Sequence, residues 1–414
     1  MKILKKLKSI KTFLAKEVLN HTWFFLGLLI VASFILRIWH LGVIKEEIFD
    51  EIYFIRFAKN YLSGTSFFDI HPPLGKLILA LGIKIFGDTH FGWRIMPAVL
   101  GTAVIYLGYL AGKELKSKIV GLFAALILAL DGMILVYSRV GLMDIFIIFF
   151  ILLGFWSFLR FSKTNRIYFL IIAGLSLGFA ASVKYIAGLL FFAYVLIVIF
   201  KKIEIKKLLW QFPICILGLP ILVYLSFFLF NFPLSRDFPG KIIEWHRQSL
   251  NYNLTLKESH PYGSKWWTWF LLLRPIWLYF KEISGKYIGI IGLGNPLAWW
   301  SSLAVIPILI WRIFSQKKDI IAAIILGCFL IFLLPWAFFS RVLFYYHALP
   351  SFIFLSLGIA YLLEKLLNDK LGKVIILVYF AIMLFIFAYF LPIWMGNPIL
   401  PTDFYHRLWL KGWI

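Results

Sequence analysis

Eleven apolar runs, most of them close to 20 residues long, divide the 414-residue chain: 22–41, 93–112, 119–135, 141–159, 167–182, 185–200, 208–230, 288–311, 320–339, 343–363 and 374–393. A helix needs roughly 20 apolar residues to cross a bilayer, and backbone polar groups in lipid must be satisfied within the segment that carries them. The pattern predicts an all-α integral membrane protein, a bundle of about 11 spanning helices forming a single polytopic domain over 1–414. Composition agrees: 62% of the residues are hydrophobic and 15% charged, against roughly half and a quarter in soluble domains. Two connections are long, 42–92 and 231–287, and the others are short.

Charge orients the bundle. Connections 113–118, 160–166, 201–207, 312–318 and 364–373 each hold at least three Lys or Arg, while 131–140, 183–184 and 340–342 hold one each. The positive-inside preference places the basic set in the cytoplasm and both long connections, with the C-terminus, outside. That asymmetry accounts for the net charge of +23 without nucleic acid. The basic, amphipathic start "MKILKKLKSIKTFLAKE" has no cleavage site before the next apolar run and reads as a cytoplasmic interfacial helix. Trp409 and Trp413 mark the tail as interfacial. Cys215 and Cys328 lie inside apolar runs, so neither a disulfide framework nor metal-ligand spacing is indicated.

The first external connection opens with an acid cluster, "EEIFDEIYF", in a chain with only 19 Asp and Glu. Aromatic residues at helical spacing, Phe49, Tyr53, Phe57 and Tyr61, predict an amphipathic helix at the outer interface; "SGTS" ends it. Pro72 and Pro73 start a second helix from about Leu74 to Phe86 and hold His71 in extended chain. Asp50 and Glu51 then begin the first helix, where carboxylates complement the dipole. The functional reading makes Asp50 a general base with Glu51 beside it. Single cations recur on the same side: Arg37, Arg94, Arg139, Lys184 and Arg341. Each alone could reach lipid headgroups; five at one level beside an acid cluster suggest an anion site, with phosphate the natural ligand. Asp131 and Asp144 bracket Arg139 and read as neutralising partners. No metal cluster is visible, two adjacent acids make a poor dedicated cation site, and no cofactor is called for.

These residues resemble the protein O-mannosyltransferases of the GT-C class of membrane glycosyltransferases. The resemblance rests on "FDEIYF" with "FFDIHPPLGK", then "FGWRIMPAVLGT", "LDGMILVYSRVGLMDIFIIFF", "SVKYIAG", "SKWWTWFLLLRPIWLYF" with "GNPLAWW", "SRVLFYYHALP" and the ending "FLPIWMGNPILPTDFYHRLWLKGW", in family order. It implies inverting transfer of mannose from a polyprenyl-phosphate-mannose lipid to Ser or Thr hydroxyls of exported proteins, at the outer face of the cell membrane. Asp50 would be the base and Glu51 its partner. Arg94 and Arg139, with Arg37, Lys184 and Arg341, would hold the donor phosphate, and His71, Asp144 and His347 would support the site. The connection 231–287 is too short for the soluble insertion of the eukaryotic members, so the chain resembles the bacterial form. The alternatives are a sister transferase acting on lipid A or a cell-wall glycan, and a lipid-linked sugar transporter; clean span centres speak against transport.

Overall fold

A computed structural model of the chain describes residues 22–203, 210–256, 259–315 and 318–414. The interfacial helix expected at the N-terminus, with Lys206, Lys207 and Lys317 of the basic connections, lies outside these residues. Among the described residues seven helices are long and apolar enough to cross a membrane: His90–Leu115, Asp144–Thr164, Pro213–Phe230, Pro296–Phe314, Ile320–Phe338, Tyr345–Asn368 and Lys370–Met395. Four shorter apolar helices, Thr22–Ile38, Lys118–Ala129, Ile167–Val183 and Tyr185–Lys201, fall on the other expected runs.

Burial separates inner from outer helices. Tyr345–Asn368 is almost wholly enclosed, packed by Pro296–Phe314, Ile320–Leu333 and Lys118–Ala129; Phe352 stacks on Trp299 at 4.3 Å. Lys370–Met395 and Pro213–Phe230 leave most of their apolar surface outward. An apolar exterior of this kind suits lipid, where outward Leu, Ile and Phe cost nothing.

Two elements depart from the expected all-α plan. The run 119–135 is not one helix: it stops at Ala129, and Gly132–Tyr137 forms a separate short helix. Asp131 causes the break. Its Oδ1 accepts the Ile134 N–H at 2.9 Å as an N-cap, while Oδ2 accepts the Asn295 N–H and the Trp299 indole N–H, both at 2.9 Å. Gly132 lets the Trp394 ring press onto the break, since a Cβ there would lie 2.0 Å from it. The second departure is an antiparallel hairpin, β1 (Ile276–Ile283) with β2 (Lys286–Gly292). The run 288–311 therefore begins as strand, and its helix starts at Pro296. The turn is Ser284–Gly285, both at positive φ (50° and 72°), the backbone that two-residue hairpins require. Sequence reading missed it because β1 and the turn lay in the long connection 231–287, while the apolar β2 merged into the run that starts at 288.

The connection 42–92 folds as expected into Glu51–Ser63 and Leu74–Phe86. Gly64, left-handed at φ 70°, closes the first helix by donating its N–H to the Asn60 carbonyl. The hairpin grips this connection: Lys281 pairs with Glu46, and the Tyr279 hydroxyl donates to Glu46 at 3.0 Å.

Asp131→Ala strips the acceptor from three donors, two of them tied to the helix Pro296–Phe314. At about 1–3 kcal/mol for each unsatisfied buried donor, the loss exceeds about 3 kcal/mol. The expected outcome is a lower thermal midpoint with faster hydrogen exchange at 132–137 and 295–299; an unchanged midpoint would contradict the cross-link.

Candidate functional site

The acid pair of the first connection splits between two neighbourhoods. The Glu51 side chain is fully buried and forms a bidentate pair with Arg94, Nε to Oε1 and Nη2 to Oε2, both at 2.8 Å. It also accepts the Ile48 N–H at 2.8 Å and the Gly141 N–H at 2.6 Å. Arg94 spends its other N–H groups on carbonyls of the same connection: Leu41 at 3.3 Å, Ile44 at 2.8 Å and Glu46 at 2.8 Å. All five guanidinium donors are thus committed. Arg94 and Glu51 hold the acid segment against the 138–143 turn, and Arg94 has no N–H left for a phosphate.

Asp50 occupies the N-cap position of the helix Glu51–Ser63, yet its side chain makes no capping bond. The helix-dipole explanation therefore does not occupy this carboxylate. Burial pushes its pKa up to about 6, with Lys184 opposing and Asp144 reinforcing that shift. The residue before it, Phe49, meets Phe344 edge-on at 6.5 Å. Asp50 thus stands beside a cavity of about 440 Å³ whose walls include His71, Asp144, Lys184, Asn253, Arg341 and His347.

Each wall residue is fixed from behind. Lys184 ends the helix Ile167–Val183 and reaches Asp144 at 2.8 Å, leaving two ammonium donors for other acceptors; its Nζ also lies 5.4 Å above the Tyr346 ring. Arg341 donates from Nη1 to the Asn253 side chain, and its buried Nε has no partner. His71 is aimed by a buried clasp: Lys76 donates to Asp69 at 2.5 Å and to the His71 and Pro72 carbonyls at 2.7 Å each. Burial, then the Lys184, Lys76 and Arg341 charges, holds the His71 imidazole well below its usual pKa, so it is neutral at pH 7. The His347 ring is wedged against Trp336 at 4.2 Å and Tyr346 at 4.5 Å.

Of the ten residues expected at the site, the fold gathers His71, Asp144, Lys184, Arg341 and His347 on one cavity, with Asp50 beside it. Arg37, Arg94 and Arg139 cluster elsewhere with Glu51, and do not line that cavity. The expected pairing of Asp131 and Asp144 with Arg139 does not occur: Asp131 caps a helix and Asp144 pairs with Lys184. Sequence reading passed over Lys76, Asp69, Asn253 and Tyr346. The helix Phe238–Thr255 presents His246, Ser249, Leu250 and Asn253 to the cavity, an i, i+3, i+4, i+7 face that periodicity alone could have shown.

The cavity shares Tyr185 and His246 with an apolar groove of about 390 Å³, formed by residues such as Leu177, Phe191, Ile216 and Pro220. At the junction the Tyr224 hydroxyl bonds His246 Nε2 at 2.5 Å. A chamber that carries Lys184 and Arg341 on its wall and adjoins a greasy groove suits a ligand with an anionic head and an apolar tail.

Comparison with known proteins points one way. Residues 27–90 and 70–230 match models described as dolichyl-phosphate-mannose-protein mannosyltransferase, and residues 238–413 match the C-terminal four TMM region of protein-O-mannosyltransferase. The polyprenol-phosphate-mannose–protein mannosyltransferase of Mycobacterium tuberculosis is 25% identical over 94% of this chain and 92% of its own length. That of Corynebacterium glutamicum is 28% identical over 83% of this chain and 81% of its own. The solved Saccharomyces cerevisiae Pmt1-Pmt2 complex bound to the sugar donor superposes with a TM-score of 0.84 at 17% identity, covering 94% of this chain and 92% of that chain. ArnT from Cupriavidus metallidurans bound to undecaprenyl phosphate gives 0.60 at 14% identity, over 85% and 62%. These two structural likenesses speak to the fold.

Replacing Arg94 by Lys keeps one charge but, with three donors in place of five, leaves at least two of the acceptors unmet. Loss of a partner from a buried pair costs about 3–5 kcal/mol. Arg94→Lys is expected to expose 42–63 to protease and lower the thermal midpoint; a variant as protease-resistant as the parent would contradict the positioning role.

Proposed function

The chain belongs to the protein O-mannosyltransferase family, and on that premise we propose that this multi-pass membrane protein transfers mannose from a polyprenyl-phosphate-mannose lipid to Ser or Thr hydroxyls of proteins, with inversion. The observation that carries this reading is the placement of Asp50 beside a chamber walled in part by Lys184 and Arg341 and adjoining an apolar groove. The polyprenyl tail lies in the groove and the phosphate meets the two cations. Asp50 takes the proton of the acceptor hydroxyl as its oxygen bonds the anomeric carbon. The bond from that carbon to the phosphate oxygen breaks, and polyprenyl phosphate leaves, its charge held by Lys184 and Arg341. A single displacement with one base inverts the anomeric centre, in contrast to the two-carboxylate retaining scheme.

Other groups have supporting parts in this proposal. Asp144 anchors Lys184. Neutral His71 offers one donor and one acceptor to sugar hydroxyls, and His347 completes the wall. Glu51 and Arg94 act through the backbone they hold rather than on substrate. The basic connections support a cytoplasmic N-terminus, with the chamber and the C-terminus on the outer side of the cell membrane. The acceptor is then met by a protein segment already exported.

The test is transfer of labelled mannose from polyprenyl-phosphate-mannose to a Ser/Thr-containing peptide by purified protein. Asp50→Asn is expected to lower kcat by at least about 10² while donor binding persists; undiminished transfer would remove Asp50 from the mechanism. The pH profile is a second check. The base works deprotonated and its pKa is raised to about 6, so kcat/KM is expected to be flat above that pH and to fall about tenfold per unit below it. A profile flat down to pH 4.5 would contradict the assignment.

A further inference from the structure

The second cation cluster has charge and donors to spare. Arg37 is fully buried at the end of the helix Thr22–Ile38. One of its N–H groups reaches the Ser33 carbonyl at 3.1 Å, while Nε and Nη2 have no partner. Arg139 donates from Nη1 to the Leu36 and Arg37 carbonyls at 2.8 and 2.7 Å. Its Nε and Nη2 make no hydrogen bond among the described residues. Both lie within electrostatic reach of a neighbouring arginine, Arg37 of Arg139 and Arg139 of Arg94. Two buried carboxylates stand nearby. Glu51 already accepts four N–H groups and Asp131 three, and neither pairs with Arg37 or Arg139. Three guanidiniums against two carboxylates leave one positive charge. Glu46 and Glu47 are exposed, and Glu46 is taken by Lys281.

Buried donors without acceptors and an unbalanced buried charge are both costly. Beside them is a cavity of about 70 Å³, walled in part by Arg94, Arg139, His40, Asn397 and Trp394. The Trp394 indole N–H is also buried without an acceptor. Two residues of the wall, Arg139 and Trp394, thus offer donors that lack acceptors. The space is several times what one water requires.

We propose that this cavity binds one small monovalent anion, with chloride as the natural occupant, held by Arg139 and the Trp394 indole, with the buried Arg37 charge behind Arg139. The anion balances the excess charge. It joins three parts of the chain that converge here: the end of the first helix, the 138–143 turn behind Glu51, and the end of the helix Lys370–Met395. It is a fixed component of the scaffold, distinct from the chamber beside Asp50, and its presence does not depend on what that chamber transfers.

Crystals of the full-length protein equilibrated in sodium bromide test this directly. The expected result is an anomalous bromide peak in the cavity within hydrogen-bond range of Arg139; density there without anomalous signal, as from water, would overturn the proposal. In solution, the thermal midpoint is expected to rise and saturate when sodium chloride replaces sodium gluconate at constant ionic strength. Arg139→Gln is expected to weaken the apparent chloride affinity by about tenfold or more. Equal midpoints in the two salts, or an unchanged affinity in the variant, would also overturn it. The diffraction experiment uses the unaltered protein and so stands even where the variant fails to fold.

Discussion

The candidate site depends on the bidentate pair between Glu51 and Arg94, two residues 43 positions apart with no exposed surface to speak of. An ion pair this deep gains little net energy, since desolvation offsets the attraction. What it gives is direction. Glu51 faces inward and fastens the connection 42–50 to one end of the bundle, so Asp50, one residue away at the helix start, faces the other side. One carboxylate is consumed by structure so that its neighbour is left uncapped and unpaired.

On the other side of that pair the electrostatics are graded. Asp50 is buried enough for its pKa to rise to about 6, close to the range where a base is both deprotonated and basic enough to act. Lys184 and Arg341 lie across the chamber with donors uncommitted, and Asp144 and Asn253 fix where they point. The clasp of Lys76 on Asp69 does the same for His71. Second-rank contacts of this kind keep reacting groups in place without a cost at the moment of reaction.

The bundle was legible because membrane burial imposes a coarse rule, an apolar run of fixed length, and all eleven runs carry helix. Asp131 broke that rule: one carboxylate able to cap a helix and to cross-link another changed a span into two pieces, and its partners Asn295 and Trp299 lie more than 160 residues away. The hairpin was hidden because its first strand and turn lay in a long connection and its second strand merged into an apolar run. At the site, the residue types were legible and their grouping was not. Five outer cations looked equivalent in sequence, yet Arg94 is saturated by its own loop while Lys184 and Arg341 keep free donors. That distinction depends on where carbonyls point after folding. Lys76 was invisible for the same reason, since only the turn at Pro72 brings three acceptors around its ammonium.

The central claim is that the donor phosphate lies on the Lys184–Arg341 side of the first connection and not among Arg37, Arg94 and Arg139. The most direct measurement is a structure of the protein with polyprenyl phosphate bound. The account predicts phosphate density between Lys184 and Arg341, the tail in the groove below Tyr185 and His246, and the Glu51–Arg94 pair intact. Phosphate density on Arg139 or Arg94, with that pair opened, would contradict it.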